Sequence, residues 1–310
     1  MLQRFSLAKV IAMWSVHARS CSSLAGSASS SSSKMSTLPR SVDVLRRGVS
    51  ELLSQRYTVF RNFVNTTDGM RIALDMETRY DSGSMKDAGV KGLVDRPNRH
   101  VNTNIRKTST MWLDREGVGA ERGRIRNGGQ GDMMDASLHS FLETFREELM
   151  RELQLSLEPH DTELLYARYP VGGFYMRHSD SAYSGTPQRF ARDTERRLSF
   201  ILYLPKLEAG AGTLVYDPAD GGRLRLFPGA LGVHGALGEL GEGGRSPLYE
   251  AETQRVEKDG EGEVDVDPTP NSLVLFLSQG LPHEVLPTNV IRRAVVGWFR
   301  VRSNTSTQYK

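Results

Sequence analysis

Cysteine and long apolar runs are nearly absent from this 310-residue chain. The one cysteine, Cys21, cannot form an intramolecular disulfide, which excludes a disulfide framework and a zinc site built from several cysteines. No stretch approaches the ~18 consecutive apolar residues that a membrane-spanning helix needs. The remaining composition, 38% hydrophobic and 25% charged, is that of an ordinary soluble domain.

Acidic residues are missing from the first 42 positions, which carry five basic residues. With the serine tract SSLAGSASSSSS, this composition is typical of a mitochondrial or plastid transit peptide, and we expect a leader over residues 1–40. The alternatives are a disordered leader without a targeting role and initiation at Met35, which would leave a cytoplasmic protein. The rest of the chain has 35 basic and 37 acidic residues, a net charge of −2, so a nucleic-acid-binding surface is not expected.

Two stretches before residue 158 have helical periodicity. Apolar residues recur every three or four positions between Ser41 and Tyr57, and again along ASLHSFLETFREELMRELQL, for which Asp135 or Ser137 would be the N-cap. Residues 80–135 are rich in Gly, Arg, Asn and Asp, which predicts loops with a few short strands, among them IRKTSTMWLD. We therefore expect an N-terminal helical support region over residues 41–158.

The pattern changes after about residue 160 to short apolar runs separated by turn residues. The runs are LLYARYP, GFYMRHSD, RLSFILYLP, GTLVYDP, GRLRLFP, SLVLFLS and RAVVGWFRV. Their spacing predicts an all-β sandwich or barrel over residues 159–304, followed by a tail at 305–310. A glycine-rich, acidic segment at 235–263 interrupts the strands and is predicted to be a solvated insertion, with a protein-docking surface as the alternative.

A histidine and an aspartate lie two positions apart where the second of these runs ends. In a strand, this spacing points His178 and Asp180 to the same face. His283, after a distant run, would supply a third ligand. Two histidines and one carboxylate form a facial triad that suits iron(II), manganese or zinc and leaves positions open for substrates.

An arginine interrupts the last apolar run. On a strand, Arg292 shares a face with Ala294, Val296 and Trp298, and no acid in this strand could neutralise it. Because a guanidinium cannot lose its proton, burial there would require a carboxylate ligand. Strand parity alone does not choose between Arg292 and Arg293, and both could be surface residues flanking the strand.

Together, these motifs resemble the iron(II)- and 2-oxoglutarate-dependent oxygenases of the prolyl 4-hydroxylase branch. The resemblance covers residues 160–301 and rests on YPVGGFYMRHSD, on HEVLP from His283, and on Arg292 followed by VVGWF. It implies a mainly β protein, with a double-stranded β-helix (jelly-roll) core supported by N-terminal α-helices. The implied reaction is hydroxylation of peptidyl proline to 4-hydroxyproline, with succinate and CO2 as coproducts.

The resemblance also implies roles for individual residues. His178, Asp180 and His283 would bind iron, and Arg292, rather than Arg293, would bind the distal carboxylate of 2-oxoglutarate. Tyr203 matches a tyrosine that hydrogen-bonds this carboxylate. Tyr169 matches another tyrosine near the cosubstrate, although one residue fewer separates it from the histidine; packing is the alternative for both tyrosines.

The implied cofactors are Fe(2+), 2-oxoglutarate and O2, with ascorbate as the reductant and a protein as the substrate. The polar segment 181–196 would be a lid over that substrate, or an ordinary surface loop. Three other functions stay open: oxidation of another residue or a small metabolite, hydrolysis at a zinc ion held by the same three side chains, and binding without catalysis.

Overall fold

The computed structural model describes residues 35, 41–88, 102–113, 130–180, 194–207, 215–229 and 262–302. The tail and nearly all of the expected leader and insertion lie outside the described residues, as do residues 181–193 of the expected lid. The division into leader, support region, catalytic domain and tail stays a prediction. None of the helices in the described ranges combines the length and hydropathy of a membrane-spanning segment.

Within the described ranges, three α-helices precede the main run of strands: α1 (Val42–Gln55), α2 (Thr66–Asp81) and α3 (Gln130–Leu153). The first begins where the sequence predicts, since the Ser41 hydroxyl accepts a hydrogen bond from the Val44 amide at 3.2 Å. The predicted N-cap of α3 is wrong, because Asp135 and Ser137 lie inside the helix. Asp135 is buried there and binds Arg79 of α2, with 2.6 Å between Oδ1 and Nη2.

In the part of the chain that the structure describes, twelve strands form two antiparallel sheets. Their bounds are β1 Tyr57–Phe60, β2 Lys86–Asp87, β3 Arg106–Lys107, β4 Ser109–Trp112, β5 Glu163–Tyr169, β6 Phe174–His178, β7 Thr194–Tyr203, β8 Leu224–Leu226, β9 Val264–Val266, β10 Leu273–Leu277, β11 His283–Val285 and β12 Arg292–Arg302. The major sheet has the order β1-β10-β7-β12-β5-β4-β2, and the minor sheet has the order β3-β6-β11-β8-β9. Six of the seven predicted apolar runs form strands. In GTLVYDP the described residues 215–217 form no strand, and Pro218–Asp220 is a 3-10 turn.

Alternating residues of the central strands contribute to two separate apolar cores. On β5, Leu164 and Tyr166 face the helices, whereas Leu165, Ala167 and Tyr169 face the space between the two sheets. This is the period-2 geometry of a strand buried on both sides. Two facing antiparallel sheets with helices on the outer face confirm the predicted jelly-roll fold and its helical support.

Candidate functional site

Two histidines and an aspartate, more than a hundred residues apart at their extremes, meet at one end of the minor sheet. Strand β6 ends at His178 and β11 begins at His283, and the antiparallel register sets these two residues opposite each other. Asp180 follows β6 by two residues, so its side chain returns to the same side. Strand pairing, rather than a local loop, brings the three predicted ligands together.

The donor atoms of these three side chains are close enough to share one ion. His178 Nε2 lies 3.7 Å from Asp180 Oδ1, and His283 Nε2 lies 3.7 Å from Asp180 Oδ2. All three ligand atoms lie within 4.8 Å of one another. A set of two imidazoles and one carboxylate fits a divalent first-row metal such as iron(II), manganese or zinc.

Backbone carbonyls orient both imidazole rings. Nδ1 of His178 lies 2.8 Å from the carbonyl oxygen of Met176, and Nδ1 of His283 lies 3.1 Å from that of Leu281. Each carbonyl belongs to the residue two positions earlier, so the Nδ1–H donates and the proton stays on that nitrogen. The lone pair of each Nε2 is then free to face Asp180 and a metal ion.

Burial controls the charge of the site. It lowers the pKa of His283 to about 4, although the Asp180 carboxylate opposes this shift. For Asp180, burial acts to raise the pKa, but the two histidines and Arg196 hold it well below its usual range. At neutral pH, His283 is therefore a neutral donor and Asp180 an ionised one, the protonation states that metal binding requires.

Aromatic rings pack around the two histidines. The ring of Tyr175 is stacked on His178 with 3.6 Å between centroids, and the ring of Phe276 lies 4.8 Å from that of His283. Arg106 covers the Tyr175 ring, 4.4 Å from its centroid. The sequence analysis did not single out these three residues. Strand parity places Tyr175 on the face opposite His178, and the two rings meet where the register of β6 and β11 shifts, so the sequence contained no signal for it. No sequence signal connects Arg106 to the site either.

Arg292 lies at the start of β12 and faces the space between the sheets. Its Cζ is 4.8 Å from the ring centroids of Tyr169 and of Tyr203. Its Nε and Nη2 are buried, as is the Tyr203 hydroxyl, and within the described residues none of the three has a hydrogen-bond partner. Such orphaned donors beside an unneutralised cation fit an incoming carboxylate, which would accept from both side chains.

The neighbouring arginine faces the other way. The Nε of Arg293 lies 2.7 Å from Glu77 Oε1 on α2, so its charge is neutralised on the outer face of the major sheet. The sequence alone left Arg292 and Arg293 as alternatives, and the structure distinguishes them: only Arg292 faces the interior that also contains Tyr203. Tyr169 is opposite Arg292 in the register of β5 and β12.

Arg196 borders the loop that carries Asp180. The guanidinium of Arg196 lies 3.6 Å from the Trp298 ring centroid, and its Nε and Nη2 lie 2.8 and 2.7 Å from Glu163 Oε2. Its Nη1 is 3.5 Å from the Asp180 carbonyl oxygen. These contacts connect the start of β7 to the Asp180 loop, and Trp298 forms part of the wall between the sheets, as its strand parity predicts.

Comparison with known families agrees with this geometry. Residues 164–300 match the family model described as the 2OG-Fe(II) oxygenase superfamily. The matched range begins in β5 and ends in β12, so it contains all six of the residues that the sequence analysis proposed for the site.

Solved structures share the fold at low sequence identity. A prolyl-4-hydroxylase from Pseudomonas putida is 24% identical, with a TM-score of 0.54; the match covers 84% of this chain and 100% of that one. A prolyl hydroxylase from Trichoplax adhaerens, bound to a peptide fragment of the hypoxia inducible factor oxygen degradation domain, is 19% identical, with a TM-score of 0.54 and coverages of 85% and 94%. A prolyl 4-hydroxylase from Phytophthora capsici is 18% identical, with a TM-score of 0.50 and coverages of 88% and 69%.

Proposed function

We propose that this chain, in which residues 164–300 match the 2OG-Fe(II) oxygenase superfamily, is such an oxygenase and hydroxylates a proline residue of a protein substrate. The family implies iron(II), 2-oxoglutarate and O2 as participants, and the reaction would release succinate and CO2. Ascorbate is the reductant that we expect to keep the iron ferrous.

One observation carries this proposal: an unneutralised arginine is buried in the same interior as a cluster of two histidines and an aspartate. His178, Asp180 and His283 would hold the iron, and their donor atoms lie within 4.8 Å of one another. Arg292 and Tyr203 would hold the distal carboxylate of 2-oxoglutarate, because their buried donors have no partner in the described residues. A zinc hydrolase built on the same three ligands would leave Arg292 without a ligand.

Iron and 2-oxoglutarate, when bound, supply the oxidising chemistry that adds one oxygen atom to a C–H bond. The contribution of the protein is placement. Asp180 supplies the negative charge that balances the cation, and the carbonyls of Met176 and Leu281 fix the two rings. Tyr169 supports the Arg292 guanidinium with its ring, and the apolar residues between the sheets exclude water.

The protein substrate is supported by less direct observations. The fold is shared with three prolyl hydroxylases, and the Trichoplax adhaerens enzyme was solved with a bound peptide. The near-neutral charge of residues 43–310 offers no general attraction for nucleic acid.

The test separates cosubstrate turnover from substrate identity. The purified protein, loaded anaerobically with iron(II), is given 2-oxoglutarate and O2, and succinate is measured with and without a panel of proline-containing peptides. We expect peptide-dependent succinate and a peptide that gains one oxygen atom at proline by mass spectrometry. The Asp180→Asn variant is the control, because it keeps the shape but loses the charge that retains iron.

The outcomes distinguish the two parts of the proposal. If no succinate forms under any condition while iron binds, the oxygenase assignment is wrong. If 2-oxoglutarate is consumed but no peptide gains oxygen at proline, the substrate assignment is wrong and the oxygenase assignment remains. Hydrolysis of a peptide by the zinc-loaded protein without 2-oxoglutarate would contradict both.

A further inference from the structure

The strand that carries Arg292 has its two arginines on opposite faces of the major sheet. Arg292 faces the interior, and Arg293 faces the helices. Strand β5 repeats this arrangement in register, with Tyr169 opposite Arg292 and Arg168 opposite Arg293. The inner pair belongs to the proposed cosubstrate site, and the outer pair consists of two cations directly opposite each other.

A single carboxylate from α2 binds both outer cations. Glu77 Oε1 lies 2.9 Å from Arg168 Nε and 2.7 Å from Arg293 Nε. Burial acts to raise the pKa of Glu77, but the two arginines overcome it and the pKa is lowered. The ring of Tyr80 covers Arg168 at 3.8 Å, which further restricts that guanidinium. All three charged groups are largely buried, so neutralisation by solvent is weak.

The backbone extends this connection to the third residue of the cosubstrate site. The carbonyl oxygen of Arg293 accepts a hydrogen bond from the Leu204 amide at 3.0 Å, next to Tyr203. Tyr203 itself is opposite Ala294 in the register of β7 and β12. Thus Tyr169, Arg292 and Tyr203 lie on three neighbouring strands whose ends are held together around Arg293.

We propose that Glu77 is a positioning residue for 2-oxoglutarate, acting from the opposite face of the sheet. It holds β5 and β12 at the spacing that aims Arg292 and Tyr169 into the interior. This inference rests on the proposed function and deepens it. Without the Glu77 charge, two buried guanidiniums directly opposite each other repel, and the strand ends that carry the inner residues separate.

The proposal predicts different effects on the binding of 2-oxoglutarate and on the binding of the metal ion. His178 and His283 lie on β6 and β11 of the minor sheet, which Glu77 does not contact in the described residues. Loss of Glu77 should therefore weaken 2-oxoglutarate binding while metal binding stays unchanged. General loosening of the fold would weaken both.

The experiment compares Glu77→Gln with Asp75→Asn, a neighbouring buried acid on the same helix. Asp75 accepts a hydrogen bond from the Tyr166 hydroxyl at 2.7 Å and binds Arg79 at 2.9 Å. Its side chain is 17% exposed, against 13% for Glu77, so the two acids are similarly buried. Its partner Tyr166, however, is opposite Val295 and not at the end of β12 that carries Arg292. Both variants should lower Tm, so Asp75→Asn shows how a loss of stability without loss of the Glu77 contacts affects the two dissociation constants.

Calorimetry with the Mn(II)-loaded protein gives the dissociation constants of Mn(II) and of 2-oxoglutarate. For Glu77→Gln we expect an unchanged Kd for Mn(II) and a Kd for 2-oxoglutarate that rises about tenfold, the lower range for loss of an outer partner of a binding residue. For Asp75→Asn we expect both constants to be unchanged. If Glu77→Gln does not fold, Glu77→Asp is measured instead, since it keeps the charge but is too short to reach both arginines; a selective rise in the 2-oxoglutarate Kd supports the proposal.

Three results would overturn the inference. The first is an unchanged 2-oxoglutarate Kd in the Glu77 variant that folds, while the unaltered protein binds 2-oxoglutarate normally; this outcome leaves the proposed function intact. The second is an equal rise in Asp75→Asn. The third is failure of the unaltered, metal-loaded protein to bind 2-oxoglutarate, which removes the proposed function and this inference together.

Discussion

Replacing Arg292 with methionine should change cosubstrate affinity and protein stability in opposite directions. The side chain is 6% exposed at the residue level, and its Nε and Nη2 have no acceptor within the described residues. Among the described residues it is therefore a buried cation without a compensating acceptor. When a dicarboxylate binds, the same cation becomes one partner of a charge-assisted hydrogen-bonded pair.

The loss of affinity follows from that pair. Truncating one partner of a buried, hydrogen-bonded charge pair costs about 2–5 kcal/mol. Because about 1.4 kcal/mol corresponds to a factor of ten, the Kd of 2-oxoglutarate should rise roughly 30-fold to 4,000-fold. Binding of Mn(II) should be unaffected, since the three proposed metal ligands remain.

Stability should increase because, without 2-oxoglutarate, the buried donors of Arg292 are unsatisfied and methionine removes them. An unsatisfied buried donor costs about 1–3 kcal/mol, and methionine fills similar space without a charge. Arg292→Met should therefore raise the free energy of unfolding of the ligand-free protein by about 1–3 kcal/mol. Urea denaturation in the presence of a chelator measures this quantity.

For stability alone, Arg293→Met provides the matched control, because Arg293 is adjacent, similarly buried and hydrogen-bonded to Glu77. That variant should lose about 1.5–3 kcal/mol of stability, the value of a hydrogen bond to a charged group. The reasoning fails if Arg292→Met is destabilised as much as Arg293→Met, or if its 2-oxoglutarate affinity equals that of the unaltered protein.

Two further predictions concern single groups of the site. Tyr203→Phe should raise the 2-oxoglutarate Kd about tenfold, by loss of one hydrogen bond to a charged group, and leave the Kd of Mn(II) unchanged; calorimetry decides, and an unchanged cosubstrate Kd would remove Tyr203 from the site. His283 has a folded-state pKa of about 4, below its ordinary value, so its contribution to stability is complete above about pH 6.5 and is lost as pH falls towards 4. The metal-free protein should be about 2 kcal/mol less stable at pH 5 than at pH 7 through this group, and urea denaturation of His283→Phe should lack that part of the pH dependence.

The sequence predicts the parts of the fold that have strong period-2 or helical patterns. Strands β5, β7, β10 and β12 are apolar runs bounded by turn residues, and α1 and α3 have continuous apolar stripes. Helix α2 lacks such a stripe, because its buried face includes the charged residues Asp68 and Arg79. Its N-cap, Asn65, was the available signal: its side chain accepts a hydrogen bond from the Asp68 amide at 2.8 Å.

Short strands and contacts between distant residues could be predicted less well from the sequence. Strands β9 and β11 have three residues each, too few to show a period. In GTLVYDP residues 212–214 lie outside the described residues; in the rest of the run Val215 is exposed and Pro218 starts a 3-10 turn. The three candidate metal ligands could be predicted because each lies at the end of a strand, just after one or at the start of one. The pairing of Glu77 with Arg293 was not, since 216 residues separate them and no local pattern marks either one.

Strands from the first half of the chain complete the major sheet, and this determines how the protein can be shortened. β1 covers one edge of β10, and β4 with β2 covers the outer edge of β5. A polypeptide that began at residue 159 would expose the unpaired backbone edges of β10 and β5, both of them apolar strands. Such edges pair readily with strands of other molecules. We expect such a fragment to form inclusion bodies, and a shortened version to stay soluble only if it keeps β1, β2 and β4.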